Sequence, residues 1–323
     1  MVSFRGKLVK GLEKRGIKVS SSLSDTPYDV VLVIGGTRNL AGLWRARRLG
    51  IPVVQRLNGM NWIHRKRPTG LKHYLRAEYG NIILSLIRSR LADRIVYQSE
   101  FSRQWWERVY GTTQVPWQVV FNGVDLDRFS PEGPGIPPED HARILLVEGS
   151  FRGGYEIELE TAVHLAEHLK IAHSFDVEIM IVGKVDITLQ QEWKQKTKIR
   201  MSFVEKVSHE RIPEIDRSAH VLFAAALDAA CPNSTIEAMA CGLPVVAFDT
   251  GALPELIQGD AGRVVLYGGD PWKLDTPDIE GLAQATVDVL GNQPHFRVGA
   301  RKRAEEAFGL DHMVEGYLKS LNA

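Results

Sequence analysis

The stretch Cys231-Pro232-Asn233-Ser234-Thr235-Ile236-Glu237-Ala238-Met239-Ala240-Cys241-Gly242-Leu243-Pro244-Val245-Val246-Ala247 decides how this chain folds. The apolar run Val221 to Leu227 precedes it, Pro232 turns the chain, a helical pattern starts near Ser234, and Gly242 ends it. Glycine suits the left-handed residue that closes a helix, and the β-branched run Pro244 to Phe248 then reads as a buried strand. Strand, helix and strand in this order make the crossover unit of a parallel sheet. The first turn of such a helix has backbone N–H groups without intrahelical acceptors and carries the positive end of the dipole, which suits a phosphate. Ser234 followed three residues later by Glu237 also spells a capping box, in which both side chains merely satisfy helix-end donors. Spacing alone leaves both readings open.

The same alternation extends in both directions. Short β-branched runs at Asp29 to Ile34, Pro52 to Gln55, Asp93 to Gln98, Gln118 to Phe121, Ile144 to Val147, Val177 to Val182 and Arg263 to Leu266 are separated by segments of helical period. No internal repeat or low-complexity tract interrupts them. Ser130 to Ala142 holds Pro131, Gly133, Pro134, Gly135, Pro137 and Pro138, which can continue neither a helix nor a central strand. The expected organisation is therefore an α/β domain over residues 1–129, a linker over 130–142 and a second α/β domain over 143–323, with the last helix a candidate to cross back. Two Rossmann-like domains with parallel sheets facing across a cleft are the expected fold, with ligands beyond the carboxyl ends of the strands.

With 323 residues, 44% hydrophobic and 24% charged, the chain can bury two cores, which excludes a disulfide mini-scaffold and wholesale disorder. No apolar run approaches the length that crosses a bilayer, and no signal-peptide core follows Met1, so a cytoplasmic chain is expected. Cys231 and Cys241 would lie roughly 15 Å apart along a helix, too far to bridge. The net charge of +1 conceals an asymmetry: residues 1–110 hold 21 Lys and Arg against 7 Asp and Glu, and the rest hold 19 against 32. A basic half fits either an anionic partner or a solvated basic face.

The run Ser234 to Ala247, followed by Gly251-Ala252-Leu253-Pro254-Glu255-Leu256-Ile257, resembles the donor-site signature of the family-4 glycosyltransferases, retaining enzymes of the GT-B fold. Ala92-Asp93-Arg94-Ile95-Val96-Tyr97-Gln98-Ser99-Glu100-Phe101 resembles the last strand and helix start of their acceptor domain. Asn122-Gly123-Val124-Asp125 with Phe129 resembles their interdomain connector. The resemblance implies a nucleotide-diphosphate sugar as donor substrate, a glycan or lipid-linked acceptor, and neither a cofactor nor a bound metal. It implies that Glu237 holds the ribose hydroxyls, that the amides of Ser234 and Thr235, next to Asn233, face the phosphates, and that Asn58 and His64 approach the transferred sugar and acceptor.

Three departures from the family pattern stand out. Where members have a second Glu, eight positions before Glu237, this chain has Ala229, with Asp228 adjacent as a substitute if the loop slips by one residue. Members place an Arg after the Gly that ends the domain's first strand and a Lys some five residues later; here Gly149 precedes Ser150, Tyr155 falls near the Lys position, and Arg152 is the candidate phosphate clamp. The family also opens on a strand, whereas Met1 to Arg15 reads as a helix with Phe4, Leu8, Val9 and Leu12 on one face. Either the first sheet is smaller or the chain begins downstream of the natural start.

Other segments carry weaker signals. Asp125-Leu126-Asp127 and His164-Leu165-Ala166-Glu167-His168 imitate metal motifs without the surroundings such sites need. Arg65-Lys66-Arg67, Lys72, His73 and Arg76, with Ile82 to Ile87 behind them, fit a helix on an anionic membrane surface, which would make the protein peripheral at the inner face of the membrane; they also fit an ordinary amphipathic domain helix. No base-reading motif is present, and no nucleic-acid partner is expected. Loss of the usual Glu and Lys keeps a second function open: a GT-B relative that binds a nucleotide sugar without transferring it.

Overall fold

A computed structural model of the chain describes residues 4–151, 155–205 and 207–322. They form two compact units, one comprising the chain up to Gly123 together with the segment from Phe308 onward, the other Val124–Ala307.

In the first unit, α1 (Phe4–Glu13), α2 (Leu40–Arg48), α3 (Leu71–Leu86) and α4 (Glu100–Tyr110) accompany β1 (Val31–Ile34), β2 (Val53–Leu57), β3 (Arg94–Tyr97) and β4 (Trp117–Val119). The strands pair in the order β1-β2-β3-β4, all parallel. β2 is buried along its whole length, which is why an apolar run punctuated only by Gln55 and Arg56 forms it. Both find partners inside the unit: Gln55 Nε2 donates to the carbonyls of Gly35 and Leu84, and Arg56 to Asn122 Oδ1 at 2.9 Å, while Gln55 Oε1 and Arg56 Nε are buried without a hydrogen-bond partner among the described residues. Among the described residues no strand precedes β1, and the N-terminal helix expected from the pattern of Phe4, Leu8 and Leu12 is present.

The second unit contains β5 (Ala142–Ser150), α5 (Glu156–His173), β6 (Val177–Lys184), α6 (Ile187–Lys196), β7 (Arg200–Val204), α7 (Ile212–Arg217), β8 (Val221–Ala224), α8 (Asn233–Ala240), β9 (Val245–Phe248), α9 (Leu253–Leu256), β10 (Gly262–Val265), α10 (Ile279–Gly291) and α11 (Gln293–Ala307). Its six strands lie in the order β10-β9-β8-β5-β6-β7, again all parallel. The chain thus builds outward from β5 in one direction and, from β8, in the other. Neighbouring strands with connections leaving to opposite sides create a crevice at their carboxyl ends, the topological switch point of nucleotide-binding sheets. The core joins β5, β6 and β8 to the inward stripe of α5, Leu159, Ala162, Val163, Ala166 and Leu169.

The final helix, α12 (Leu310–Asn322), belongs to the first unit, where Met313, Val314 and Tyr317 bury against Leu8 and Leu12 of α1. The helices meet so closely that a Cβ on Gly11 would lie 2.4 Å from Val314 Cγ2, so the contact needs glycine there.

The boundary between units falls inside Asn122-Gly123-Val124-Asp125, and the Pro- and Gly-rich segment expected as a linker lies wholly within the second unit. Side chains rather than secondary structure hold it: Arg217 donates to the carbonyls of Ser130 and Pro134. Arg301 gathers the carbonyls of Leu126, Phe129 and Ala240 at 3.2, 2.8 and 2.8 Å. Arg301→Met leaves those carbonyls without their charged donor and is expected to cost about 2 kcal/mol. Thermal unfolding of the second unit should show it as a lower midpoint.

Candidate functional site

α8 starts where the crevice opens. Pro232 is its N-cap and makes no side-chain capping bond, so Ser234 and Thr235 are helical residues. The capping box allowed by the spacing does not form: the Glu237 carboxylate instead accepts from His209 Nε2 at 3.1 Å. The physical reason is that Pro232 takes the capping position, which places Ser234 two residues too far into the helix. The N–H groups of Asn233, Ser234 and Thr235 are those a first turn leaves without intrahelical acceptors. Thr235 Oγ1 is buried with no hydrogen-bond partner among the described residues.

A small recess lies between the carboxyl ends of β5 and β8 and this turn, with Val147, Glu148, Ala224, Ala226, Ser234 and Thr235 among its lining residues. It lies at the switch point. Glu237 stands one helical turn behind it, itself buried, with His209 on one side and the buried Asp216 on the other. Burial and the neighbouring Glu237 push the Asp216 carboxyl well above the usual range, and Asp216 hydrogen-bonds the Cys241 thiol. Cys231 and Cys241 are both buried and are not joined by a disulfide. The ring of His209 packs on Phe129 with centroids 5.2 Å apart, so Phe129, at the end of the connector-like segment, supports the Glu237 arrangement from within the same unit.

The comparisons with known proteins agree with this architecture. Residues 143–292 match the family described as Glycosyl transferases group 1, and residues 14–128 match Glycosyltransferase Family 4. The chain belongs to the family-4 glycosyltransferases. A relative is the D-inositol 3-phosphate glycosyltransferase of Xylanimonas cellulosilytica, 23% identical over 322 residues that cover 94% of this chain and 73% of the relative. Among solved structures, sucrose-phosphate synthase from Thermosynechococcus elongatus superposes with a TM-score of 0.67 at 16% identity, over 99% of this chain and 78% of that one. Anabaena HepE in complex with UDP-glucose gives 0.62 at 15% identity, over 91% and 79%. The fold is GT-B.

Against the glycosyltransferase pattern, the second unit brings together Asn233, Ser234, Thr235, Glu237 and, through Glu148, the strand end that carries Gly149. Arg152, the expected phosphate clamp, lies outside the described residues. The loop after β8 is docked on the turn after β9: Ala229 O accepts from Ala252 N at 2.8 Å, and a Cβ on Gly251, whose φ is +59°, would sit 2.7 Å from that oxygen. Ala229 is therefore fixed by its backbone, and Asp228 is the acid beside it. The Asp228 carboxylate acts electrostatically on Glu148, Tyr155 and Glu158.

In the first unit, Asn58 is exposed just beyond β2, and its carbonyl accepts from the Trp106 indole at 2.7 Å. His64 is not an open polar group. Its side chain is buried, with Nε2 2.7 Å from Glu78 Oε1 and the ring edge-on to Tyr74. Arg65 grips the same carboxylate and, with His64, holds Glu78 down at about 2. Asp125 caps a local turn by accepting from Arg128 N. Among the described residues no group of three or more His, Cys, Asp or Glu side chains is arranged to hold a metal ion.

Sequence reading missed the role of five groups. Glu148 carries a legible signal, an acid ending the apolar strand Ile144 to Val147. Burial and Asp228 push its carboxyl up to about 7, against a hydrogen bond from the Gly149 amide that lowers it. Glu158 belongs to the stripe of α5 by period alone; it is buried, Oε2 has no partner, and burial with Glu148 and Asp228 pushes it well up. Tyr155 is raised by the same burial and the same acids. His209 and Asp216 lie 28 and 21 residues before Glu237, and only the fold brings them to it.

Because its carboxyl is raised in the folded state, Glu148 favours folding while protonated, and this contribution fades as pH rises through about 7. Glu148→Gln should therefore match the parent in melting temperature near pH 4.5, the ordinary value, and exceed it increasingly as pH climbs through about 7. Differential scanning fluorimetry across that range checks the divergence; parallel curves would contradict it.

Proposed function

We propose that this glycosyltransferase moves a sugar, with retention of anomeric configuration and without a bound metal, from a nucleoside-diphosphate donor to a glycan or lipid-linked acceptor. The observation that carries the reading is the opening of α8 at the switch point, with a buried carboxylate one turn on. The first-turn amides of Ser234 and Thr235 then meet the pyrophosphate, and Glu237, oriented by His209, accepts from the ribose hydroxyls. HepE, whose structure holds UDP-glucose, and the relative named for transfer to D-inositol 3-phosphate support the donor class and a polyhydroxylated acceptor.

In this reaction the acceptor oxygen forms its bond to the anomeric carbon on the face from which the diphosphate departs, and the leaving oxygen receives the acceptor's proton. Charge grows on the diphosphate, and preorganised donors at that point supply the largest catalytic term. Arg152 is the side chain assigned to that charge, with the exposed Asn58 assigned to the acceptor side, the loop of the buried His64 beside it, and Asp228 assigned to the transferred sugar.

A second reading is favoured by Ala229 and by the three acids Glu148, Glu158 and Asp228, which oppose a dianion: a protein that binds the nucleotide and does not turn it over. Nucleotide release that requires both donor and acceptor decides for transfer. Tight nucleoside-diphosphate binding with no release across a panel of donors decides for the second reading. NMR of the product linkage tests retention.

Glu237→Ala should weaken UDP or GDP binding about 10- to 100-fold, the range for losing hydrogen bonds to a charged group. It should leave affinity for inorganic pyrophosphate, which has no ribose, within about twofold by the same account. Isothermal titration with both ligands measures the contrast, and an equal loss for both would remove Glu237 from the ribose.

A further inference from the structure

Helix α3 is apolar on both sides. One side faces the first unit, with Ala77 and Asn81 buried and Ile83 packed on the core under β1 and β2. Along the other, Leu71, Leu75, Tyr79, Ile82 and Leu86 recur at spacings of four, four, three and four and form one continuous stripe over a helix about 24 Å long. All five are 40 to 75% exposed. Isolated apolar side chains on a surface are ordinary, but a stripe of this length is not, and it calls for a cover.

The charges around the stripe say what covers it. Lys72 and Arg76 flank it, both exposed. The loop carrying Lys66 and Arg67 is tied to the helix by Arg65 and His64 on Glu78 and by Asn81, which accepts from Asn61 N and donates to Asn61 O. Glu78, the one acid of α3, is spent on Arg65 and His64. The outward charge is therefore cationic along the helix and its loop. A second copy of the chain would set like charges together in either orientation, whereas an anionic bilayer offers negative headgroups above an apolar layer. Tyr74 and Tyr79, also exposed, have the amphipathic rings that settle at that boundary.

We propose that α3 and the 63–67 loop form a docking surface for an anionic lipid bilayer, with the Leu71-Leu75-Tyr79-Ile82-Leu86 stripe inserted to headgroup depth and Lys66, Arg67, Lys72 and Arg76 against lipid phosphates. No helix among the described residues is long and apolar enough to cross a membrane, so this contact lies in the plane of the interface. The surface uses none of the residues assigned to the donor and stands whether or not the transfer reading holds.

The test is co-sedimentation of the full chain with phosphatidylcholine vesicles and with mixed phosphatidylcholine and phosphatidylglycerol vesicles, at low and high salt. Partitioning to the phosphatidylglycerol vesicles is expected, with loss at high salt and on pure phosphatidylcholine. The exposed double substitution Leu75→Glu with Ile82→Glu should abolish it. Lys72→Gln with Arg76→Gln should weaken it roughly tenfold or more. Both variants should keep the circular dichroism and UDP affinity of the parent. Three results would overturn the proposal: no partitioning at low salt by a folded chain, undiminished partitioning by the glutamate variant, or a dimer in light scattering that the same variant dissolves, which would give the stripe to a second copy. Loss of UDP binding by the parent chain alone would bear on the transfer reading and not on this one.

Discussion

The separation of β5 and β8 at their carboxyl ends is the constraint on which the second unit depends. The two strands are hydrogen-bonded neighbours, Ile144 with Val221 and Leu145 with Leu222, yet the chain leaves β5 toward β6 and β8 toward β9. The two connections leave to opposite sides of the gap, and the first turn of α8 lines it. A helix end is costly to leave facing an apolar wall, because its N–H groups need acceptors. Here the gap supplies an open recess, and the chain invests Pro232, with no side-chain cap, at the position where a capping residue would have closed it.

The electrostatics of that recess are unequal at its two ends. At the α8 end, Glu237 has a base, His209, and its acidic neighbour Asp216 is pushed toward the neutral form, so one carboxylate is held in place by a defined partner. At the β5 end, burial raises Glu148 and Glu158, and Asp228 adds to both, as Glu148 does to Glu158. Like charges in a buried cluster are relieved by protonation rather than by strain, so this end carries less negative charge near neutral pH than its three carboxyls suggest.

Much of the fold was legible because buried parallel strands are written as apolar runs: nine of the ten strands coincide with runs readable in the sequence. β7 escaped because it lies at the sheet edge, half-buried throughout, and Arg200, Ser202 and Phe203 give it no apolar run. The helix of α8 and its place before β9 followed from Pro232, Gly242 and the pattern between them. The capping box did not, since spacing fixes which residues share a turn and not which of them is first. His64 misled for a related reason: a polar residue in a loop reads as open, and only the return of α3 places Glu78 against it. The same limit hid His209 and Asp216, whose meaning comes from contacts across 28 and 21 residues. The segment 130–142 reads as a linker because proline and glycine mark the absence of regular structure, yet the unit boundary falls before it, at Gly123, and Arg217 fastens the segment within the second unit.

The inequality of the recess has a consequence for orientation. A ligand that is dianionic at one point and neutral and hydroxyl-rich at both ends is matched to this site in one direction only. Under the transfer reading its pyrophosphate would meet the amides at the turn of α8, and one sugar ring an acceptor-only carboxylate at Glu237. The other ring would then meet the side of Glu148, whose raised carboxyl can donate as well as accept when protonated. Mixed protonation is thus compatible with binding a second polyol, while a fully ionised cluster would repel the pyrophosphate between them. The cluster that counts against a nucleotide when read as three charges favours a nucleotide sugar when read as coupled acids.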